Sequence, residues 1–187
     1  MGQQGSDTRD RIEEIAIKLF TEKGYDRTSL REIAEGLGVT KAALYYHFKS
    51  KEEILQSIVD GRRKDFQDVI DWGVRLPRTP EARREILERI AGLVETKWKP
   101  MIRFAQVNQV RMGSLKGQSG EANLEQMRQL FMLVCGPDAA PAEQFKSALA
   151  IIALLVGAAG MGSLFPSLRD TDFSKIALQV ATELIGS

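Results

Sequence analysis

Between Gly36 and Lys51 the sequence places three lysines, Lys41, Lys49 and Lys51, around the adjacent pair Tyr45 and Tyr46, with His47 following and no acidic residue in the stretch. Phenolic hydroxyls can donate to phosphate oxygens, tyrosine rings can pack on sugars, and ammonium groups can meet phosphates or base edges. The chemistry on offer is therefore contact with a nucleic acid. Two neighbouring tyrosines on one short helix cannot both face a core, so at least one must point outward. Residues 1–52 carry nine basic and nine acidic side chains, which confines any such contact to the local patch. The whole chain is as evenly balanced, with 26 Lys plus Arg against 25 Asp plus Glu and a net charge of +1. A protein that coats polyanions through a global positive field is excluded.

Other chemistries find little support. With one cysteine, Cys135, and one histidine, His47, neither an internal disulfide nor a Cys/His zinc cluster can be assembled, so no metal and no cofactor is expected. Asp65, Asp68 and Asp71 form a superficial carboxylate row, but a spacing of three rotates them around a helix beside Arg63 and Lys64, as on a solvated face. No activated nucleophile or phosphate-cradling loop is visible, and an enzyme is not expected.

At 187 residues, 43% hydrophobic and 7% aromatic, the composition is that of a soluble globular chain able to bury a core without staples. Met1 to Arg11 is polar and lacks an apolar run, and reads as a floppy leader rather than an export signal. Residues 148–165 carry no charge and just reach the length of a membrane span, about 18 residues. Three glycines and the lack of flanking Lys/Arg clusters or aromatic belts favour a buried helix in a cytoplasmic protein without a membrane role.

Apolar spacing reads helix nearly throughout. Ile12, Ile15, Ala16, Leu19 and Phe20 line one face of a first helix ending near Gly24. Ser29 and Glu32 form a capping box for a short second helix, Thr40 is the expected N-cap of a third, and Ser50 with Glu53 opens a long fourth. Pro77 to Pro80 breaks the pattern, Thr79 and Pro80 restart it, and Pro100 marks another expected break. A helix is expected near Met101 to Met112, a loop over residues 113–120, and helices again from Glu121 to the end. No run reads as a strand.

Two short helices crossing at the small Ala34, with Gly38 four residues later to turn the chain and Val39 and Leu44 to fill between, have the layout of a helix-turn-helix. The stretch Thr8 to Leu55 resembles the N-terminal domain of the tetracycline-repressor (TetR) family of transcriptional regulators. Gly24-Tyr25, the run Thr28 to Ala34, Gly38-Val39 and the run Thr40 to Glu52 carry the likeness. The resemblance implies that Thr28 touches phosphate at the start of the second helix, that Thr40, Lys41, Ala42, Tyr45, Tyr46 and His47 lie at the DNA surface of the recognition helix, and that Lys51 pairs with a phosphate. For His47, capping its own helix end is an equal alternative. Ala42 stands where such proteins often have glycine, implying slightly looser backbone approach to DNA.

The expected architecture is thus all-α. A helix-turn-helix DNA-binding domain over residues 1–52 precedes a larger helical effector-binding and dimerisation domain over residues 53–187. By resemblance, a homodimer binds a palindromic double-stranded DNA operator, represses transcription and is released by a small, largely apolar effector. Trp98, Phe104, Asn108, Met127, Phe131 and Cys135 are candidates to line an effector pocket, although ordinary core packing explains each singly. Ala153, Gly157 and Ala158, with Ile176, Val180 and Leu184 of the last helix, are candidates for the dimer interface, the alternative being a monomer core.

Overall fold

The structure, a computed structural model, describes residues 2–108, 120–159 and 172–186. Among these there is no strand. The elements are α1 (Gly2–Glu22), α2 (Leu30–Leu37), α3 (Lys41–His47), α4 (Lys51–Gly73), α5 (Pro80–Leu93), a π-helical turn (Val94–Trp98), α6 (Lys99–Val107), α7 (Gly120–Cys135), α8 (Pro141–Ala159) and α9 (Phe173–Gly186). Two compact units result. Of the described residues, one unit comprises 2–62 and 103–108, the other 63–102, 120–159 and 172–186. The cut falls inside α4 and inside α6, not at a linker, and it assigns Arg103 to Asn108 to the N-terminal helices.

The caps work as the side chains dictate. Ser29 accepts from the Glu32 amide while the Glu32 carboxylate accepts from the Ser29 amide, fixing the start of α2. The Thr40 and Thr79 hydroxyls accept from the Ala43 and Ala82 amides to start α3 and α5. Gly38 ends α2 at φ 73°, ψ 27°, the left-handed region, and its amide with that of Val39 returns to the last carbonyls of the helix. No neighbour crowds Gly38, so backbone conformation rather than space demands glycine there.

Two expectations are corrected. The chain before Arg11 is not a floppy leader, because α1 begins at Gly2. Pro100 does not break the chain between helices, since α5, the π turn and α6 follow without a gap. Proline lies in the first turn of α6, where a missing N–H is tolerated, and the Lys99 amide donates back to Val94 O across the wider turn. Residues 109–119 and 160–171, including most of the expected 113–120 loop and the end of the uncharged stretch, lie outside the described residues.

In the N-terminal unit, Ile12, Ala16 and Phe20 of α1 are buried together with Ile33, Leu44, Phe48, Ile54 and Ile58 of the next three helices. Each such aliphatic or aromatic side chain contributes about 1.5–3 kcal/mol by leaving water. Tyr25 is the hub between α1 and α2. Its ring lies 4.8 Å from that of Phe20 and 6.4 Å from that of Phe104. Its amide donates to Asn108 Oδ1 at 2.9 Å, and its carbonyl accepts from Lys51 Nζ at 2.7 Å. A partly buried polar bridge ties α1 to α4: Ser57 donates to Glu13 Oε1 at 2.7 Å while Arg9 donates to Ser57 and lies 4.2 Å from the centre of the Phe48 ring. Burial pushes the Glu13 carboxyl above its ordinary pKa despite the Ser57 bond.

The second unit buries Phe66, Ile70, Ile86, Leu87, Ile90, Leu130, Val134, Ile151, Leu154 and Ala181 in one core. Gly157 lets α9 lie directly on α8, for a Cβ there would sit 2.9 Å from Phe173 O and collide with Ala177. By length and mean hydropathy, 1.5, α8 could cross a membrane, a test that core helices also pass. It packs one face into this core and leaves Phe145, Leu149, Ile152 and Val156 exposed in a single stripe.

Candidate nucleic-acid interface

The recognition surface is built from the turn outward. Leu44 and Phe48, four apart, are both fully buried and pin α3 by one face. The opposite face then presents Lys41, Ala42 and Tyr46, the last 82% exposed. Tyr45 is half-buried, and Lys41 Nζ lies 5.4 Å from its ring centre. His47, also half-buried, meets the Tyr46 ring edge-on at 5.3 Å between centroids. Thr40 is exposed beside them while its oxygen caps the helix.

Charge distribution sharpens this surface. On α2 and its approaches Lys23 pairs with Glu32 at 2.8 Å and Arg31 with Glu35 at 2.7 Å, while Arg27 is exposed. The Lys23 ammonium, then the Ser29 amide and hydroxyl, hold the Glu32 carboxyl down to a pKa of about 2. Lys49 and Lys51 differ. Their ammonium groups meet carbonyls, Tyr45 O at 2.6 Å and Tyr25 O at 2.7 Å, rather than carboxylates. A carbonyl orients an ammonium without cancelling its charge, but Glu52 and Glu53 open α4 beside these lysines. The Lys51 charge acts on the Glu52 carboxyl and the Glu53 carboxylate accepts from the Lys49 amide, so the positive patch is confined to α3 and the turn after it.

The structure moves one expected contact elsewhere. Thr28 is only 2% exposed, and its hydroxyl donates to Gly24 O at 2.9 Å and Leu19 O at 3.2 Å. It closes the α1–α2 turn, which folds back at Gly24 with φ 90°, and it has no free face for a phosphate.

The six residues expected to line an effector pocket fall in both units. Phe104 is fully buried against Phe20 in the N-terminal unit, and Asn108 spends its amide on Phe20 O and Phe104 O. In the other unit Trp98 meets Phe66 at a tilt, 4.8 Å between ring centroids, with its indole N–H buried and without a partner among the described residues, while Met127 and Phe131 pack on the core. Cys135 alone of the six lines the cleft of that unit, a space of about 660 Å³ between the end of α4, the start of α5 and the end of α7. Burial raises the Cys135 thiol above its ordinary pKa, which leaves it a poor nucleophile. Arg78 and Arg83 of this cleft carried no sequence signal, because nothing local tells an arginine facing a cleft from one facing open solvent.

The six dimer candidates divide as well. Gly157 is buried against the chain's own α9 and Ala158 in the core, Ala153 is half-buried, and Leu184 packs on the core, so the first two serve intrachain packing. Ile176 and Val180 remain exposed, joining in character the stripe of α8. The exposed alternate positions of α8 were the ones overlooked, although their i, i+4, i+7, i+11 spacing was readable.

With this geometry in hand, likeness to known proteins is specific at the N-terminus and general beyond it. Residues 12–58 match the family model of bacterial regulatory proteins, tetR family. The HTH-type transcriptional regulator AcrR of Shigella flexneri is 34% identical over 87 residues, 46% of this chain and 40% of that protein. The icaADBC negative transcriptional regulator IcaR of Staphylococcus epidermidis is 44% identical over 62 residues, 33% of this chain and 34% of its own. The chain thus aligns with well under half the length of these relatives. A transcriptional regulator from Aquifex aeolicus VF5 has the same fold over 95% of this chain and 97% of its own, with TM-score 0.67 at 21% identity.

Proposed function

With residues 12–58 a domain of the tetR family of bacterial regulatory proteins, we propose that the chain is a cytoplasmic, ligand-responsive transcriptional repressor that binds a palindromic operator as a homodimer. The observation that carries this is the outward face of α3, where Lys41, Ala42 and the nearly fully exposed Tyr46 stand on a buried Leu44–Phe48 foot beside Lys49 and Lys51, whose ammonium groups meet carbonyls rather than carboxylates. Two such helices set roughly 34–36 Å apart enter successive major grooves, and Thr40, Tyr45, His47 and Lys51 flank the reading surface. The α8 stripe with Ile176 and Val180 of α9 supplies the apolar face on which a second copy docks. An effector releases the operator only through its differing affinity for the bound and free conformations.

Selection of bound fragments from random duplex DNA tests the reading, and recovery of an inverted repeat is the expected result. On the selected duplex, Lys51→Ala should make the slope of log affinity against log salt shallower by roughly 0.9, the contribution of one phosphate contact. An unchanged slope removes Lys51 from the interface, and failure to enrich any duplex overturns the proposal.

A further inference from the structure

The cleft at the end of α4, the start of α5 and the end of α7 is lined in part by Ile70, Val74, Ile86, Met132 and Leu133, and it carries three arginines, Arg78, Arg83 and Arg128. Its volume, about 660 Å³, lies within the range of small-molecule sites. Arg128 is consumed by Glu125, to which it donates at 2.7 and 2.8 Å. Arg78 and Arg83 make no hydrogen bond or ion pair among the described residues, although unpaired guanidinium groups ordinarily find a carboxylate when one is near.

Neither arginine is needed to finish a helix. Arg75 already donates to Asp71 O at the end of α4, and the end of α7 is closed by the Gly136 amide on Met132 O and the Cys135 thiol on Gly136 O. Gly136, at φ 89°, lets the Arg78 guanidinium lie against its backbone, since a Cβ there would be 3.1 Å from a terminal nitrogen. Arg83 is half-buried near Cys135, so it is the most enclosed charge of the cleft. The two carboxylates that share the lining, Asp71 and Asp138, are exposed, and Asp71 accepts from Gln67. Solvent screens both more than it screens Arg83.

We propose that this cleft binds an amphiphilic anion, its charged head held by the guanidinium groups of Arg83 and Arg78 and its apolar body laid along Ile70, Val74, Ile86 and Met132. The proposal gives a chemical class to the effector and rests on the regulator reading only for the effect on DNA. Pairing a planar, half-desolvated guanidinium with an anionic oxygen pair is worth more than pairing the same groups at the surface, so the head group sets the affinity and the wall admits any apolar chain that fits.

Calorimetric titration of the full chain with decanoate, decyl phosphate, decanol and inorganic phosphate, below micelle-forming concentrations, tests it. At least one of the two amphiphilic anions should bind more than tenfold tighter than decanol and than inorganic phosphate, and comparison of the two identifies the head group. Arg83→Gln should erase the advantage over decanol, and Arg78→Gln, at an exposed position, should reduce it several-fold with an unchanged melting temperature. Decanol binding as tightly as the anions, inorganic phosphate binding as tightly as decyl phosphate, or anion affinity indifferent to both substitutions overturns the proposal, as does the absence of binding. Affinity of the ligand-free protein for its selected duplex is measured alongside. Anion binding without duplex binding defeats the regulator reading and leaves the cleft assignment standing, and duplex binding without anion binding does the reverse.

Discussion

Tyr46 and Thr28 make opposite demands on the same experiment. The Tyr46 ring stands in solvent, so Tyr46→Phe should leave the melting temperature unchanged and cost about 1 kcal/mol of duplex affinity, the worth of one hydrogen bond to a phosphate. Thr28→Val should do the converse. It strands Gly24 O in a buried turn, while Leu19 O keeps the Lys23 amide, lowering stability by about 1–3 kcal/mol in denaturant titrations while duplex affinity of the folded protein stays put. A loss of duplex affinity in Thr28→Val at full folding would restore that residue to the interface. The contrast also shows what single residues reveal. An adjacent tyrosine pair announces an outward ring by geometry alone, whereas the direction of Thr28 is decided by the chain reversal at Gly24 and by carbonyls four and nine residues back. No local pattern encodes that reversal.

At the scale of elements, caps were readable because their chemistry is local: Ser29, Thr40 and Thr79 each bind an amide three residues on. The π turn at Val94–Trp98 was not, because Pro100 locally signals an interruption, although a proline in the first turn of α6 gives up only an N–H whose loss is tolerated there. The α2 capping box yields a pH dependence of definite sign. Glu32 has a folded pKa of about 2, below the ordinary 4.5, so its stabilising contribution is complete above about pH 4.5 and fades as pH falls toward 2. Glu32→Gln, which keeps the shape and removes the charge, should therefore melt below the parent at neutral pH, with the gap narrowing steadily on acidification. Thermal melts across that window check it. A gap that stays constant down to pH 3 would mean that the Lys23 and Ser29 contacts, as charged interactions, contribute nothing to folding.

For the whole molecule, what could not be read from the chain is which segments meet across long separations. Asn108 reaches Tyr25 across 83 residues and Phe20 across 88, so a residue whose composition suggested a polar anchor for an effector instead fastens the N-terminal helices. The same blindness attends α8, where the small residues suggest a face for a partner and the large exposed ones went unmarked. The structure separates them. Gly157 is occupied within the chain by Phe173 and Ala177, while Phe145, Ile152 and Val156 on α8, with Ile176 and Val180 on α9, are all more than 40% exposed. An isolated charge on an exposed face costs a monomer little, usually within about 0.5 kcal/mol, but buried without a partner between two copies it costs several times more. Ile152→Glu should consequently yield monomers in sedimentation while its far-ultraviolet spectrum remains that of the parent, and duplex binding should weaken because the second recognition helix is lost. Gly157→Glu should instead unfold the second unit, since no side chain fits between α8 and α9. An Ile152→Glu protein that sediments as a dimer would place the interface elsewhere and leave the α8 stripe without the role assigned to it.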